Sequence, residues 1–506
     1  MRHLPEDRQA MIGTNRYIGS PVERIEDWRF LRGRGEFVGD LQREGMLHAA
    51  ILRSPIAHGR LRRLDATAAR DLPGVRAIIT AAEIGTMPTI PLRLLPLPGT
   101  ERFLQPVIAA ERVRYVGEPI AVVLADSAAL AEDGVGTIAL DIEELTPVAD
   151  RRVSGQHEVL LFEESGTNLA MAFTAVIGDA EAAFRDAPYV RRECFQVQRY
   201  TALPMEPRGV LAEWDAAQGR MTVLGAAKVP FFNRDTLAAM LGLASTSVDL
   251  IENDVGGGFG ARGEFYPEDF LIPFAAKHVG RPVRWIEDRR EHLTAMNHAR
   301  EADCEVEIAC RRDGTILGLR GEVFIDLGAY IRTNGLIAPR TLAQFFSGPY
   351  RVPNMRITST ALLTNKTPAG TYRAPGRYEA SFFCERLIEL GAGDLGIDSA
   401  EMRRRNLPRC RTSSLGWSPA ARPWTPNVTA AITARRSNAA WPSSAGRKSA
   451  KCRAGGSTVA ITASPSPVSS REPAPGPRRP RGLTWSRMVR WRCMSAPPRL
   501  GRASKQ

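Results

Sequence analysis

The chain of 506 residues has few cysteines, and its seven are scattered without a single C-x-x-C pair. Iron–sulfur clusters and structural zinc sites are usually held by closely spaced cysteines, so the sequence predicts neither on this chain. Its seven histidines show no H-x-x-x-H spacing, which excludes the common catalytic zinc motif. The cysteines are therefore interpreted as buried free thiols, and no metal-ligating residues are predicted.

Long hydrophobic runs are also absent from the sequence. No stretch of roughly 18 apolar residues occurs, so a membrane-spanning helix is not predicted. Residues 1–7 lack the apolar core of a secretory signal, and we therefore expect a cytoplasmic protein. The chain length predicts about two to four domains.

Acidic residues are nearly missing from the last part of the chain. Residues 411–506 hold 18 Lys and Arg but one acid, Glu472, so the net charge of +13 comes from this tail. The first 410 residues carry 50 bases against 54 acids, which disfavours nucleic acid as a partner. The tail lacks Asp, Tyr, His and Phe, yet it holds five of the eight tryptophans. Disordered basic arms are poor in aromatic residues, so polyanion binding by the tail is the less favoured interpretation.

A shifted reading frame explains the tail better. Wrong frames of GC-rich genes yield Arg, Pro, Ala, Ser and Trp but little Asp, Tyr or Phe. Back-translation of residues 483–506 with GC-favoured codons, read from the third base, gives an alternating run that ends in Gly-Gln-Gly. In that frame Met488-Val489 forces a glycine under any codon choice. We therefore predict that residues 411–506 are a basic, irregular or disordered tail translated out of frame.

Residues 1–410 are organised, and strands interleaved with short helices predict an α+β protein. We expect an N-terminal extension at 1–24, an α/β domain at 25–150 and a second, α+β domain at 160–410. Ser127 is a candidate N-cap of an Ala-rich helix, and Gly242 is expected to end another. The last helix, Ser399–Arg405, is capped by Asp398 or Ser399.

One glycine-rich segment, Gly256–Gly260, follows the predicted strand Val248–Val255. Glycines leave backbone amides uncovered, so an anionic ligand can approach them closely, and Phe259 keeps one apolar wall beside them. The spacing fits neither the dinucleotide fingerprint nor a Walker loop. Taken alone, such a segment is more often a simple tight turn.

A second segment, Gly370–Arg377, surrounds Arg373 with small and turn-forming residues. Arginine is suited to bidentate recognition of anions, although a solvated surface loop is the simpler alternative. Two glycine-lined anion sites in one domain favour a phosphate-bearing cofactor.

Three charged motifs are given structural roles. Trp285–Glu291 predicts an ion-paired, solvated turn, and Met205–Arg208 predicts a buried Glu–Arg pair. Arg403–Arg405 lies at a helix end, where cations complement the helix dipole.

Seven motifs occur in an order that resembles one known family. They are Arg53–Pro55, Tyr115–Pro119, Met205–Arg208, Gly256–Gly260, Trp285–His292, Tyr372–Gly376 and Gly396–Asn406. Over roughly residues 15–408 the chain resembles the large, molybdopterin-binding subunit of the xanthine dehydrogenase/aldehyde oxidase/carbon monoxide dehydrogenase family. The resemblance implies a hammerhead-like domain at 25–150 and the first molybdopterin-binding domain at 160–410.

The resemblance also implies site residues, cofactors and partners. Gly258, Phe259 and Gly260 would lie beside the molybdenum centre with Arg373, and Lys228 stands where many relatives have a Gln near the metal's oxo group. The implied cofactor is molybdenum–molybdopterin, with its cytosine dinucleotide form left open. Iron–sulfur and flavin centres would lie on a separate small subunit and an FAD-binding medium subunit. The implied reaction is hydroxylation of a small molecule at an aldehyde or N-heterocyclic carbon.

The chain departs from the family pattern at several positions. Ala374 replaces the Cys that binds copper in carbon monoxide dehydrogenases, so a subunit of that type is the less favoured alternative. Glu264 is one residue from Gly263, the position of a substrate-holding Glu in xanthine-oxidising relatives. Neither the general-base Glu nor the second molybdopterin-binding region is found in frame. Catalytic residues therefore stay unknown, and the chain is predicted to be inactive; a non-catalytic remnant that still binds partner subunits is the alternative.

Overall fold

The computed structural model describes residues 21–225, 228–408 and 427–431 of the chain. The rest of the predicted tail lies outside these residues. Helices and strands alternate along the described part, which confirms the α+β class. The helices are α1 (Asp27–Leu31), α2 (Thr67–Arg70), α3 (Ala81–Ile84), α4 (Ala128–Thr137), α5 (Arg151–Ser154), α6 (Ala180–Arg185), α7 (Pro230–Leu241), α8 (Pro267–Val279), α9 (Arg289–Ala295), α10 (Ile337–Phe345), α11 (Arg377–Leu395) and α12 (Ser399–Asn406). The strands are β1 (Leu47–Arg53), β2 (Gly59–Asp65), β3 (Val75–Ile79), β4 (Arg112–Val113), β5 (Pro119–Ala125), β6 (Ala139–Glu144), β7 (Leu169–Ile177), β8 (Tyr189–Val197), β9 (Tyr200–Thr201), β10 (Gly209–Asp215), β11 (Arg220–Gly225), β12 (Val248–Ile251), β13 (Val283–Ile286), β14 (His298–Ala299), β15 (Ala302–Cys310), β16 (Ile316–Asp326), β17 (Met355–Leu362) and β18 (Asn427–Ala431).

Strands from both parts of the chain form one seven-stranded sheet, in the order β12-β11-β10-β13-β1-β5-β3. Strand β1 joins the two groups because it pairs in parallel with β13, with Leu47 opposite Val283, and antiparallel with β5. Helix α8 packs on this sheet, and its Leu271 is buried in the same apolar cluster as Leu47 and Trp285. The N-terminal strands and the strand that leads to the first glycine-rich segment therefore share one framework.

A six-stranded sheet, in the order β18-β7-β17-β16-β15-β8, holds the second core. Helices α10 and α11 pack beside it, and Phe173, Leu319 and Phe383 are buried between the layers. Strand β18 belongs to the predicted irregular tail, yet it pairs antiparallel with β7. An edge strand offers free backbone donors and acceptors, which explains how a segment without an apolar period forms a strand there.

Two smaller sheets complete the described strands, β4-β2-β6 and β14-β9. In the second, His298–Ala299 pairs with Tyr200–Thr201, and His298 also bridges to Ala369. These contacts fix the start of the second glycine-rich segment. Among the described residues, no helix has the length and apolar character needed to cross a bilayer.

Local signals predicted several helix ends. The Ser127 hydroxyl accepts the Leu130 amide at the start of α4, and the Asp398 carboxylate accepts the Glu401 amide at the start of α12. Gly242 ends α7 in a left-handed conformation. The predicted strand Val248–Val255 ends earlier, at Ile251, because the chain leaves β11 there and continues towards Glu36, whose carbonyl accepts the Asp254 amide.

Candidate functional site

The loop that follows β12 presents four consecutive backbone amides without hydrogen-bond acceptors. Within the described parts of the chain, nothing accepts from the N–H groups of Gly257, Gly258, Phe259 or Gly260. The φ angles of Gly257, Phe259 and Gly260 are 106°, 50° and 98°, all in the left-handed region. A left-handed phenylalanine costs about 1–2 kcal/mol, so the surroundings must hold this shape. Runs of free amides of this kind are suited to bind an anion.

The second glycine-rich segment contacts this loop directly. Arg373 donates its backbone N–H to the carbonyl of Phe259 at an N···O distance of 2.8 Å. A Cβ at Gly260 would lie 3.0 Å from Thr371 Cγ2, so glycine permits the two segments to approach this closely. Ala374 continues the second segment with a φ angle of 58°. The two segments singled out by the sequence therefore form one site.

Two cationic side chains at this site have no partner among the described residues. Arg373 and Lys228 are both exposed, and neither forms a side-chain hydrogen bond or ion pair there. The Lys228 amide donates to the carbonyl of Arg262 at 3.2 Å, and its Cδ lies 3.3 Å from the place that a Cβ at Gly263 would take. The structure thus brings all five sequence-predicted site residues into one region, with Lys228 at its border.

An ion pair beneath the first loop holds its glycines. The Glu206 carboxylate accepts the Gly256 amide at 2.8 Å and the Arg262 guanidinium at 3.0 Å. Arg262 in turn donates from Nε to the carbonyl of Gly257 at 2.7 Å. The predicted pair within Met205–Arg208 is therefore wrong in its partners: Glu206 binds Arg262, and Arg208 binds other carboxylates. The structural role predicted for this motif fits both contacts.

Glu264 holds the second segment from below. Its buried carboxylate accepts the Thr371 amide at 2.7 Å through one oxygen and the Asn334 amide at 2.9 Å through the other. Asn297 adds a bond of 3.2 Å from its Nδ2 to the Thr371 carbonyl. Because both carboxylate oxygens bind backbone amides, Glu264 is a positioning residue in this chain rather than a free group for substrate.

Arg300 fixes the left-handed turn of the second segment, and no sequence motif pointed to it. It is buried, has a φ angle of 80°, and donates to the carbonyls of Arg373 and Ala374, the latter at 3.2 Å. Its guanidinium lies 4.9 Å from the ring centroid of Tyr372 and pairs with Glu379 at 3.4 Å. Burial raises the pKa of Glu379, and Arg300 opposes this rise. These contacts join residues far apart in the chain, so periodicity and spacing carry no signal for them.

A buried ionic cluster supports the site from the core. Arg208 pairs with Glu268 at 2.9 Å and with Glu287, whose other oxygen lies 2.8 Å from His292 Nδ1. Burial disfavours the ionised form of Glu287, yet Arg208 and His292 outweigh it and lower the pKa to about 2. The prediction of a solvated turn at Trp285–Glu291 is therefore wrong for Trp285 and Glu287, which are 2% and 1% exposed. A buried charge of this kind persists because it is fully paired.

The donor set fits an anionic, phosphate-bearing cofactor. Four free amides and two unpaired cations have no acceptor in the described part of the chain, and Phe259 beside them is 49% exposed as a residue. No group of three or more His, Cys, Asp or Glu that could hold a metal occurs among the described residues. The free amides, the two cations and the Phe259 side chain offer contacts to the organic and anionic parts of a cofactor.

Comparisons with known proteins identify the family. A family model described as a molybdopterin cofactor-binding domain matches residues 161–407. A second, described as the a/b hammerhead domain of aldehyde oxidase and xanthine dehydrogenase, matches residues 32–146. The chain belongs to the xanthine dehydrogenase/aldehyde oxidase family of molybdopterin-binding large subunits. The ordered motifs of the sequence had predicted this assignment, which is now confirmed.

The relatives differ in how much of their length the chain covers. The chain is 38% identical over 407 residues to the gamma subunit of the 6-hydroxypseudooxynicotine dehydrogenase complex of Paenarthrobacter nicotinovorans. The aligned region covers 80% of the chain and 51% of that relative. The crystal structure of quinoline 2-oxidoreductase from Pseudomonas putida 86 matches with a TM-score of 0.74 and 33% identity, over 78% of the chain and 50% of that structure. The chain therefore spans about half the length of these two relatives. The nicotinate dehydrogenase large molybdopterin subunit of Eubacterium barkeri is 26% identical over 396 residues, or 77% of the chain, but is covered over 89% of its own length.

Proposed function

We propose that the chain supplies the first part of the molybdopterin site in the large subunit of a molybdenum hydroxylase. The observation that carries this proposal is the contact between Phe259 and Arg373. It joins a loop with four free amides to a loop with an unpaired guanidinium, and both segments lie within the region matched by the molybdopterin-binding model.

The site residues are proposed to contact different parts of the cofactor and the substrate. The amides of Gly258, Phe259 and Gly260 and the guanidinium of Arg373 would bind anionic groups of the cofactor, and Lys228 would add a cation at the border. The exposed Phe259 ring would exclude water on one side and give a flat substrate an apolar surface. When bound, the molybdenum cofactor supplies the redox chemistry of the hydroxylation. The positions of the loops would be kept by Glu206, Glu264 and Arg300.

An N-heterocyclic carbon is the favoured site of hydroxylation, with an aldehyde as the alternative. The names of two relatives refer to quinoline and nicotinate, both of which contain a nitrogen heterocycle. A carbon monoxide dehydrogenase-like activity is disfavoured, because Ala374 offers no thiolate to hold copper.

Electrons are proposed to leave through an iron–sulfur small subunit and an FAD-binding medium subunit. One relative is named as a subunit of a complex, which supports this arrangement. The cytosine dinucleotide form of the cofactor and a cytoplasmic location belong to the same proposal.

The chain by itself is proposed to lack turnover, because it spans about half the length of two of its relatives. One observation favours a second candidate, in which a separate polypeptide supplies the other part of the site. The Eubacterium barkeri relative is covered over 89% of its length, so a family member of similar extent exists. Both candidates differ from a non-catalytic remnant, which would bind partner subunits but no cofactor.

Metal analysis tests the proposal. The chain is purified from a host that makes the cofactor, alone and together with the iron–sulfur and FAD subunits and a polypeptide equivalent to the second half of the quinoline relative. We expect near-stoichiometric molybdenum and quinoline hydroxylation only in the assembled preparation. Molybdenum missing from both preparations would support the remnant instead.

A further inference from the structure

The N-terminal segment, residues 24–41, contacts Asp254, which lies between the end of β12 and the first glycine-rich loop. Arg29 donates to Asp254 from both terminal guanidinium nitrogens, from Nη1 to Oδ2 and from Nη2 to Oδ1 at 2.6 Å. The Glu36 amide donates to Asp254 Oδ2 at 2.7 Å, and the Asp254 amide donates back to the Glu36 carbonyl at 3.2 Å. Arg29 lies before residue 32, where the match to the hammerhead-domain model begins.

This segment is itself fixed to the seven-stranded sheet. Val38 is buried with Met46, Leu211 and Leu224, and Arg284 of β13 donates to the carbonyl of Leu41 at 2.6 Å. Asp254 is therefore connected to the sheet through the N-terminal segment as well as through the chain that leaves β12.

The glycine-rich loop begins between an ion pair and a backbone hydrogen bond to a carboxylate. Asp254, two residues before Gly256, is held by Arg29, and Gly256 is held by Glu206. Between them the chain turns from the sheet into the run of free amides.

We infer that Arg29 is a positioning residue, which sets the start of the loop through Asp254 and thereby the arrangement of the amides at Gly257–Gly260. The consequence for cofactor binding rests on the proposed function, whereas the effect on the loop does not. Because the Arg29 side chain is 41% exposed, the ion pair adds little to global stability, and its effect is local.

Hydrogen exchange measured by mass spectrometry tests this inference in Arg29→Ala. The reporters are the amides of Ala261, bonded to Gly258, and Arg373, bonded to Phe259, because both depend on the loop's shape. We expect about tenfold faster exchange at both, as for the loss of one charged hydrogen bond. The control is Arg24→Ala, which removes the nearby exposed pair with Asp27 and should leave both reporters unchanged.

Faster exchange confined to residues 24–37 and Asp254 would overturn the inference, because Arg29 would then only tether its own segment. Arg29→Lys keeps the charge but loses the two-pronged contact, so we expect an intermediate change at both reporters. If the reporter amides exchange as fast in Arg29→Lys as in Arg29→Ala, the bidentate contact itself is required, which also supports the inference. Wild-type exchange rates in both variants contradict the inference. If the wild-type assembly contains no molybdenum but Arg29→Ala still speeds exchange at both reporters, the proposed function is contradicted and the inference about Arg29 is not.

Discussion

The carbonyl of Phe259 accepts the backbone N–H of Arg373 at an N···O distance of 2.8 Å. Phe259 itself and Ala374, which follows Arg373, have left-handed φ angles of 50° and 58°. Residues with a Cβ adopt this conformation only when their surroundings enforce it. Here Arg262 and Arg300 bind carbonyls of the two segments, so the chain's own contacts give the site its shape. A site arranged in this way loses less conformational freedom when a ligand binds.

Gly260→Ala should lower the unfolding free energy by more than the strain of a left-handed alanine alone. The new Cβ would meet Thr371 Cγ2 at 3.0 Å, whereas at Gly219, which is also left-handed, nothing lies within 4 Å. We expect Gly219→Ala to cost about 1 kcal/mol of unfolding free energy and Gly260→Ala about 1–2 kcal/mol more. Urea unfolding measures both. Equal losses would show that the two segments separate easily.

Arg373→Gln should weaken retention of the cofactor without unfolding the chain. Its guanidinium is exposed and unpaired among the described residues, so its removal leaves no buried charge behind. We expect the assembled enzyme to lose molybdenum about tenfold more readily during dialysis, as for one charge-assisted hydrogen bond.

The matched control for this variant is Arg377→Gln, four residues further along, whose guanidinium lies over the Phe345 ring. It should retain molybdenum as the wild type does. Equal loss from both variants would indicate a general charge effect rather than a specific contact.

Glu118 should make stability fall as the pH rises. Burial raises the pKa of its carboxyl group from 4.5 to about 7, although bonds from Tyr330 and the Arg114 amide oppose the rise. The folded chain thus keeps a proton that the unfolded chain releases near pH 4.5. This contribution to stability is complete below that pH and is lost as the pH rises through 7.

The size of this effect follows from the two pKa values. We expect the unfolding free energy to fall by about 2–3 kcal/mol between pH 5 and pH 8 through this group. Glu118→Gln cannot titrate, so the difference between wild type and variant in urea unfolding at several pH values isolates the contribution. Parallel pH profiles of the two proteins would contradict the assignment.

The sequence predicted those parts of the fold that depend on local contacts. The caps at Ser127 and Asp398 and the stop at Gly242 need only a few neighbouring residues, and all three are observed. The end of β12 was misplaced: the apolar alternation does not continue through the three polar residues 252–254, and Asp254 finds its partner in the N-terminal segment. No local pattern contains that contact.

The candidate site divides in the same way. Glycine content marked the two loops and, in the second, Arg373, whereas Lys228 was added by the family resemblance alone. The groups that hold the loops in place, Glu264 and Arg300, act through contacts with residues distant in sequence. A single sequence carries no record of such pairs, so they could be found only in the folded chain.

The reading-frame hypothesis makes a prediction at the level of the gene. Composition changes abruptly after residue 410, shortly after α12, the last helix among the described residues, ends at Asn406. We expect sequencing across codons 405–415 to reveal a one-base insertion or deletion. The restored frame should encode a Gly-Gln-Gly loop near the present C-terminus and continue beyond it, because two relatives are about twice as long as the matched region. An unbroken frame in the transcript, together with tryptic peptides from residues 411–506 in the purified protein, would reject the frameshift. The basic tail would then be a real part of the chain.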